Sequence, residues 1–276
     1  MDRLGVAKTY KLYVGGAFPR SESGHTYPAR SADGALLAHA ALASRKDLRD
    51  AVTAARAALP GWSGATAYNR GQVLYRVAEV MEGRRAQFVA RVGAVEPDAE
   101  AVVDAAIDRW VWYAGWTDKI ATVLGSVNAV AGPYVNFSTP VPTGVVGAVA
   151  PQESALLGLV DVLAPVLATG CTAVVLAAQE RPLPAVELGE VLATSDVPAG
   201  AANLLTGRTA ELAPWLASHA EVAGLDLAGA PPELAVELER AAAETVTRVL
   251  PPGDHPGLAR LRAWSEIRTV WHPAGR

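Results

Sequence analysis

The chain opens with short apolar runs separated by Gly, Ser and Pro (YKLYVGGAFPRSESGHTYPAR), a pattern that predicts a small hairpin-like β element reversing at Gly15-Gly16. At Ser44 the period changes. SRKDLRDAVTAARAALPGW has a capping serine, early acidic residues and apolar positions at helical spacing, predicting a helix that stops at Pro60-Gly61. NRGQVLYRVAEVMEGRRAQFVARVGAV and DAEAVVDAAIDRWVWYAGWTDKIATVLG each carry the same period, so three helices are predicted before residue 125.

Residues 133–142 (PYVNFSTPVP) alternate apolar with small polar side chains between prolines, as a solvent-edge strand does. GVVGAVAP and TAVVLAA are continuous apolar runs with a helix-length segment between them, the signature of a βαβ unit. ELGEVLATSD then reads as helix, AANLLTG as strand, AELAPWLASH as helix, EVAGLDLAG as strand and PPELAVELERAAAETVTRVL as the last helix. The alternation predicts an α/β fold: a Rossmann-like, doubly wound parallel sheet with flanking helices. Residues 251–257 (PPGDHPG) read as a linker, and 258–276 as a tail whose ARLRAW is one or two helical turns. EIRTVW alternates like a strand but has no obvious neighbour in the chain.

Composition narrows the function. With 276 residues, 51% of them hydrophobic, the chain buries a substantial core. Its net charge of -4 is spread out, with no Lys/Arg run to neutralise phosphates, so no nucleic-acid partner is expected. No apolar stretch reaches the roughly 20 residues of a membrane span, and the first residues lack the apolar centre of a signal peptide. A cytoplasmic protein without a membrane partner is therefore expected. The single cysteine, Cys171, excludes an intrachain disulfide, and the five histidines do not pair at ligand spacing, so no metal is expected.

Several stretches, in order, resemble aldehyde dehydrogenases. YVGGAF, AARAALPGW, NRGQVLYRVAEVME and DRWVWYAGWTDK resemble the family's N-terminal part. PTGVVGAVAP with LAPVLATGCTAVVL resembles its nucleotide-binding core, and DVPAGAANLLTG the next loop and strand. WSEIRTVWHP resembles the strand that closes full-length members and serves in oligomerisation. The resemblance implies a nucleotide-binding-like domain over 9–250, including the edge strand at 133–142, and a tail at 258–276 that acts as a β oligomerisation element. In the family, the strand like LDLAGA leads on to a glutamate base and a catalytic domain with the nucleophilic cysteine. Here Val249-Leu250 runs through the linker into the closing strand, implying a truncated member without that domain.

Aldehyde oxidation of this kind needs a thiolate, oxyanion donors and a base. Cys171, in ATGCTAVV, reads as a small residue entering a sheet, so no residue is assigned a catalytic role. The resemblance implies NAD(P) as cofactor and aligns Pro151, Gln152 and Glu153 with the motif holding the family's oxyanion asparagine, which places a repelling carboxylate at Glu153. It also aligns the run Leu176 to Gln179 with a Lys-Pro-Ser-Glu run at the adenosine ribose, Gly207 with the end of the next strand, and Ala228-Gly229-Ala230 with a Thr-Gly-Ser motif near the pyrophosphate. The lost lysine, hydroxyls and, at Pro231-Pro232, backbone N–H groups argue against useful NAD affinity, since each charge-assisted hydrogen bond is worth roughly 1.5–3 kcal/mol. His219, His255 and His272 lack partners in the sequence and read as solvated; Trp110, Trp112, Tyr113 and Trp116 read as packing.

The retained edge and closing strands imply a partner: a full-length aldehyde dehydrogenase with which this chain assembles as a non-catalytic subunit. Two alternatives stand beside that expectation. One is a binding protein whose old nucleotide cleft holds another small molecule. The other is residual activity, either as an oxidoreductase acting on aldehydes or as a hydrolase using Glu153.

Overall fold

The computed structural model describes residues 7–253, 255 and 257–274. Asp254 and Pro256 of the expected linker, and the last two residues of the expected tail, lie outside the described residues, as do residues 1–6.

Strands β1 (Thr9–Tyr10), β2 (Thr26–Arg30) and β3 (Leu36–Ala41) form a small sheet in the order β1-β3-β2, preceding the helices as the pattern predicts. The reversal at Gly15-Gly16 is present, with both residues at positive φ and Val14 donating to the Ala17 carbonyl. Helix α1 (Arg45–Gly64) starts at a capping box: the Ser44 hydroxyl accepts from the Lys46 and Asp47 N–H groups, and the Asp47 carboxylate accepts from the Ser44 N–H. It runs one turn past the expected stop at Pro60-Gly61. Trp62 is buried and its Nε1 donates to the Leu167 carbonyl at 3.2 Å, which holds that last turn in the core.

The two long patterns expected as single helices are each broken. The first divides into α2 (Ala67–Gly83) and α3 (Arg85–Gly93) at Arg84, whose side chain pairs with Glu190. The second divides into α4 (Ala99–Trp116) and α5 (Ile120–Leu124), because the Thr117 hydroxyl bonds back to Ala114 and packs where Gly71 of α2 leaves no Cβ.

The central sheet contains β6 (Val145–Val149), β7 (Thr172–Leu176), β8 (Ala202–Leu205), β9 (Gly224–Asp226) and β10 (Arg248–Leu250), all parallel, in the order β10-β9-β6-β7-β8. The connecting helices are α6 (Leu157–Thr169), α7 (Leu183–Leu192), α8 (Thr209–Ala217) and α9 (Pro232–Glu244). Alternate strand residues feed two cores. Val146, Ala148 and Val175 pack with α2, α4 and α6; Val145, Val149 and Val174 pack with α1, α8 and α9. β10 corrects the expectation of one helix through Leu250. The helix ends at Glu244, Val246 takes a positive φ, and the β-branched Thr247 donates to the Val222 carbonyl as the chain enters the sheet beside β9.

A second correction concerns the closing segment. After α10 (Gly257–Ala263), β11 (Ser265–Pro273) does find a neighbour in the chain: it pairs antiparallel with β5 (Tyr134–Pro142) over its whole length, from Ser265 opposite Pro142 to Pro273 opposite Tyr134. β4 (Ser126–Asn128), which the sequence did not announce, completes a sheet of order β11-β5-β4. Among the described residues no helix is long and apolar enough to cross a membrane.

Candidate functional site

Strand order reverses between β6 and β9, so the crevice beyond their carboxyl ends is where an open parallel sheet offers a site. The residues aligned with the family's cofactor positions sit at the carboxyl ends of the sheet strands. Pro151, Gln152 and Glu153 follow β6, Leu176 closes β7 with Gln179 beyond it, Gly207 follows β8 and Gly229 follows β9. Two are brought together: Gln152 donates to the Ala150 carbonyl at 2.7 Å and accepts from the Gln179 N–H at 2.9 Å. The Gln179 side-chain oxygen accepts in turn from the Thr209 N–H, the first residue of α8, at 3.1 Å. Leu176 is buried in the core beside α1 and α8 and faces no ligand space.

The family model for aldehyde dehydrogenases matches residues 20–250. The chain belongs to the aldehyde dehydrogenase family. It is 30% identical over 247 residues to the (Z)-2-((N-methylformamido)methylene)-5-hydroxybutyrolactone dehydrogenase of Acinetobacter baylyi, covering 87% of this chain and 50% of that one. It is 30% identical over 239 residues to the cytosolic 10-formyltetrahydrofolate dehydrogenase of Mus musculus, covering 83% and 26%. The NAD+ complex of an aldehyde dehydrogenase from Bacillus cereus shares the fold at TM-score 0.82 and 24% identity, over 87% of this chain and 50% of that one. The chain thus spans about half the length of the Acinetobacter baylyi and Bacillus cereus proteins and about a quarter of the Mus musculus one.

In this aldehyde dehydrogenase chain the loop before α9 offers few N–H groups to a dinucleotide. A pyrophosphate needs free backbone N–H groups at the start of the helix after the strand. Here the Ala228 N–H donates to the Asp226 carboxylate at 3.0 Å, the Gly229 N–H to the Val149 carbonyl at 2.9 Å, and the Ala230 N–H to the Leu227 carbonyl at 2.9 Å. Pro231 and Pro232 have no N–H to offer. Gly229 presses on the end of β6 so closely that a Cβ would lie 1.8 Å from the Ala150 carbonyl oxygen. The loop is therefore packed tightly against the end of β6.

A cleft of about 850 Å³ lies beside it, walled by Ala105, Asp108, Arg109 and Trp112 of α4, by Pro151, Glu153 and Ala228, by Gly253 and His255, and by Arg260 of α10. Sequence reasoning missed its charged floor. Arg260 is bonded to the buried Asp226 at the end of β9, and Arg109 pairs with Asp161 of α6. Burial pushes the Asp226 carboxyl up from its usual value, against the opposing pull of the Arg260 guanidinium and the Ala228 N–H. The available signal was an aspartate inside an otherwise apolar strand (GLDL), since a buried carboxylate needs a partner.

The other expected residues divide. His255 lies at the cleft with its Nε2 against the Pro251 carbonyl at 2.8 Å, whereas His219 sits by a smaller groove with Trp215 and His272 on β11 is exposed. Trp110 and Tyr113 are core residues, as expected, while Trp112 is partly exposed as cleft wall. Cys171 stands at the amino end of β7, away from this edge, fully buried, with its thiol donating to the Trp264 carbonyl. Burial pushes that thiol up, opposite to what a nucleophile requires. Among the described residues no cluster of His, Cys, Asp or Glu is arranged to hold a metal.

Proposed function

We propose that this chain is a non-catalytic subunit that assembles with a full-length aldehyde dehydrogenase, with β11 adding to the partner's sheet. The observation that carries the reading is the β11-β5-β4 sheet itself. β11 is its edge strand, nine residues long, with one side paired to β5 and the other unpaired among the described residues. Ile267 and Trp271 on it are 53% and 60% exposed, and Tyr134 and Val135 on β5 are exposed beside them. A long edge strand with exposed apolar side chains is a template for another chain, and folded proteins seldom leave one uncovered. The chemistry points the same way. The only thiol is buried at the wrong end of the sheet, Glu153 stands where the family resemblance places an oxyanion donor, and the crevice donors are consumed internally. This chain's own part is therefore structural: it presents an edge and supplies no reacting group.

The test is affinity purification of the tagged protein from its native cell, with the eluate assayed for NAD-dependent aldehyde oxidation. A co-purifying full-length aldehyde dehydrogenase is the expected result. Recovery of the chain alone, or a mixture with the candidate partner that stays separate on size exclusion, would overturn the reading.

A further inference from the structure

We infer that, when no other protein occupies it, the β11 edge is covered by a second copy of this chain, the two β11 strands lying antiparallel about a twofold axis through Thr269. The inference rests on the reading of β11 as the docking edge and names what else fits it. The ladder to β5 fixes which backbone groups are free. The Thr143 N–H donates to the Trp264 carbonyl and the Ala274 N–H to the Pro133 carbonyl, and the register between these two bonds is unbroken. In an antiparallel strand the N–H and C=O of one residue point to the same side, and the side alternates along the chain. The even-numbered residues from 266 to 272 therefore face β5. Ser265, Ile267, Thr269, Trp271 and Pro273 direct their backbone groups outward, where no strand lies among the described residues. β11 has no bulge and its only proline is the last residue, so no backbone feature blocks pairing before that point.

The strand is complementary to itself. Paired about Thr269, Ile267 of each copy meets Trp271 of the other, so the two most exposed apolar side chains of β11 cover each other twice on one face. The Trp271 ring is already set edge-on to Tyr134 at 6.0 Å, which holds it for that contact. On the opposite face Glu266 meets His272 and Arg268 meets Val270, so no two like charges stand directly opposite. The ends fit as well. Ser265 meets Pro273, which has no N–H to give, and the Ser265 carbonyl is already satisfied by the Arg248 guanidinium at 3.0 Å. Thr269 is the midpoint of β11, so this is the register that pairs the whole strand, and it joins the two three-stranded sheets into one.

The test is sedimentation equilibrium of the purified full chain alone, with cross-linking to read the register. The parent is expected to sediment as a dimer, and Ile267→Ala, whose contact occurs twice, to weaken that dimer by about tenfold or more. Thr269→Pro removes an outward N–H and no bond to β5, so it should sediment as a monomer with unchanged circular dichroism. Under mild oxidation Thr269→Cys should form a disulfide-linked dimer and Val270→Cys should not, because only residue 269 faces its own copy; the native Cys171 is buried and takes no part. A parent that stays monomeric at about 50 μM, a folded Thr269→Pro that still dimerises, or cross-linking of Val270→Cys in place of Thr269→Cys overturns the inference. Since the chain is measured alone, capture of an aldehyde dehydrogenase without self-pairing overturns this inference only, and self-pairing without capture overturns the assembly reading only.

Discussion

Arg260, on the helix after the linker, donates to Asp226 at the carboxyl end of β9, 34 residues earlier, and both side chains are almost wholly buried. The bond ties the tail to the sheet at the strand-order reversal, and Trp264 follows it into the core against Gly224. Removing one partner leaves a buried, uncompensated charge. Arg260→Ala is expected to lower stability by about 3–5 kcal/mol, while a matched apolar replacement of both residues costs much less. Urea denaturation of the single and double variants checks this; equal losses would show that packing alone holds the tail.

Gly229 is a position where only the absence of a Cβ permits the fold, because the Ala150 carbonyl oxygen occupies that place. Gly229→Ala is expected to destabilise by more than about 3 kcal/mol, by forcing the loop off β6. Gly61→Ala, in α1 with open space around it, should instead stabilise by roughly 0.5–1 kcal/mol. Thermal unfolding of the two variants separates local backbone contact from a general effect of glycine.

The phenols of Tyr13 and Tyr113 are raised from 10.0 to about 12, in both cases chiefly by burial. A group raised in the folded state contributes stability that is complete below its unfolded value and lost as pH rises through the folded one. The melting temperature should therefore hold up to pH 10 and fall between pH 10 and about 12. Because the Tyr113 hydroxyl has no hydrogen-bond partner, Tyr113→Phe should keep neutral-pH stability and flatten the alkaline fall. A variant as alkali-sensitive as the parent argues against this origin.

With the Ala228, Gly229 and Ala230 N–H groups all engaged, millimolar NAD+ should give no calorimetric heat and no shift in melting temperature. A rise of several degrees would mean that the loop opens to admit the nucleotide.

Ile267→Lys with Trp271→Lys places charge on the exposed β11 edge. Partner recovery should fall to background while circular dichroism and melting stay close to the parent. Undiminished recovery would move the contact elsewhere on the surface.

Much of this protein follows from its sequence, because periodicity encodes burial one element at a time. The βαβ runs, the Ser44 cap, the collinear family motifs and the placing of Cys171 in a strand entry needed nothing beyond local pattern. Tertiary structure decided what depends on distant neighbours. Arg248–Leu250 is a strand only because β9 has an edge to offer, and β11 acquires its partner across a gap in which Ser138 meets Thr269, 131 residues away. The breaks at Arg84 and Thr117 come where these residues touch α7 and α2. The cleft was the least legible part. An isolated Asp226 or Arg260 states only that a partner must exist, and which charges cancel is settled when α10 comes to lie beside the end of β9.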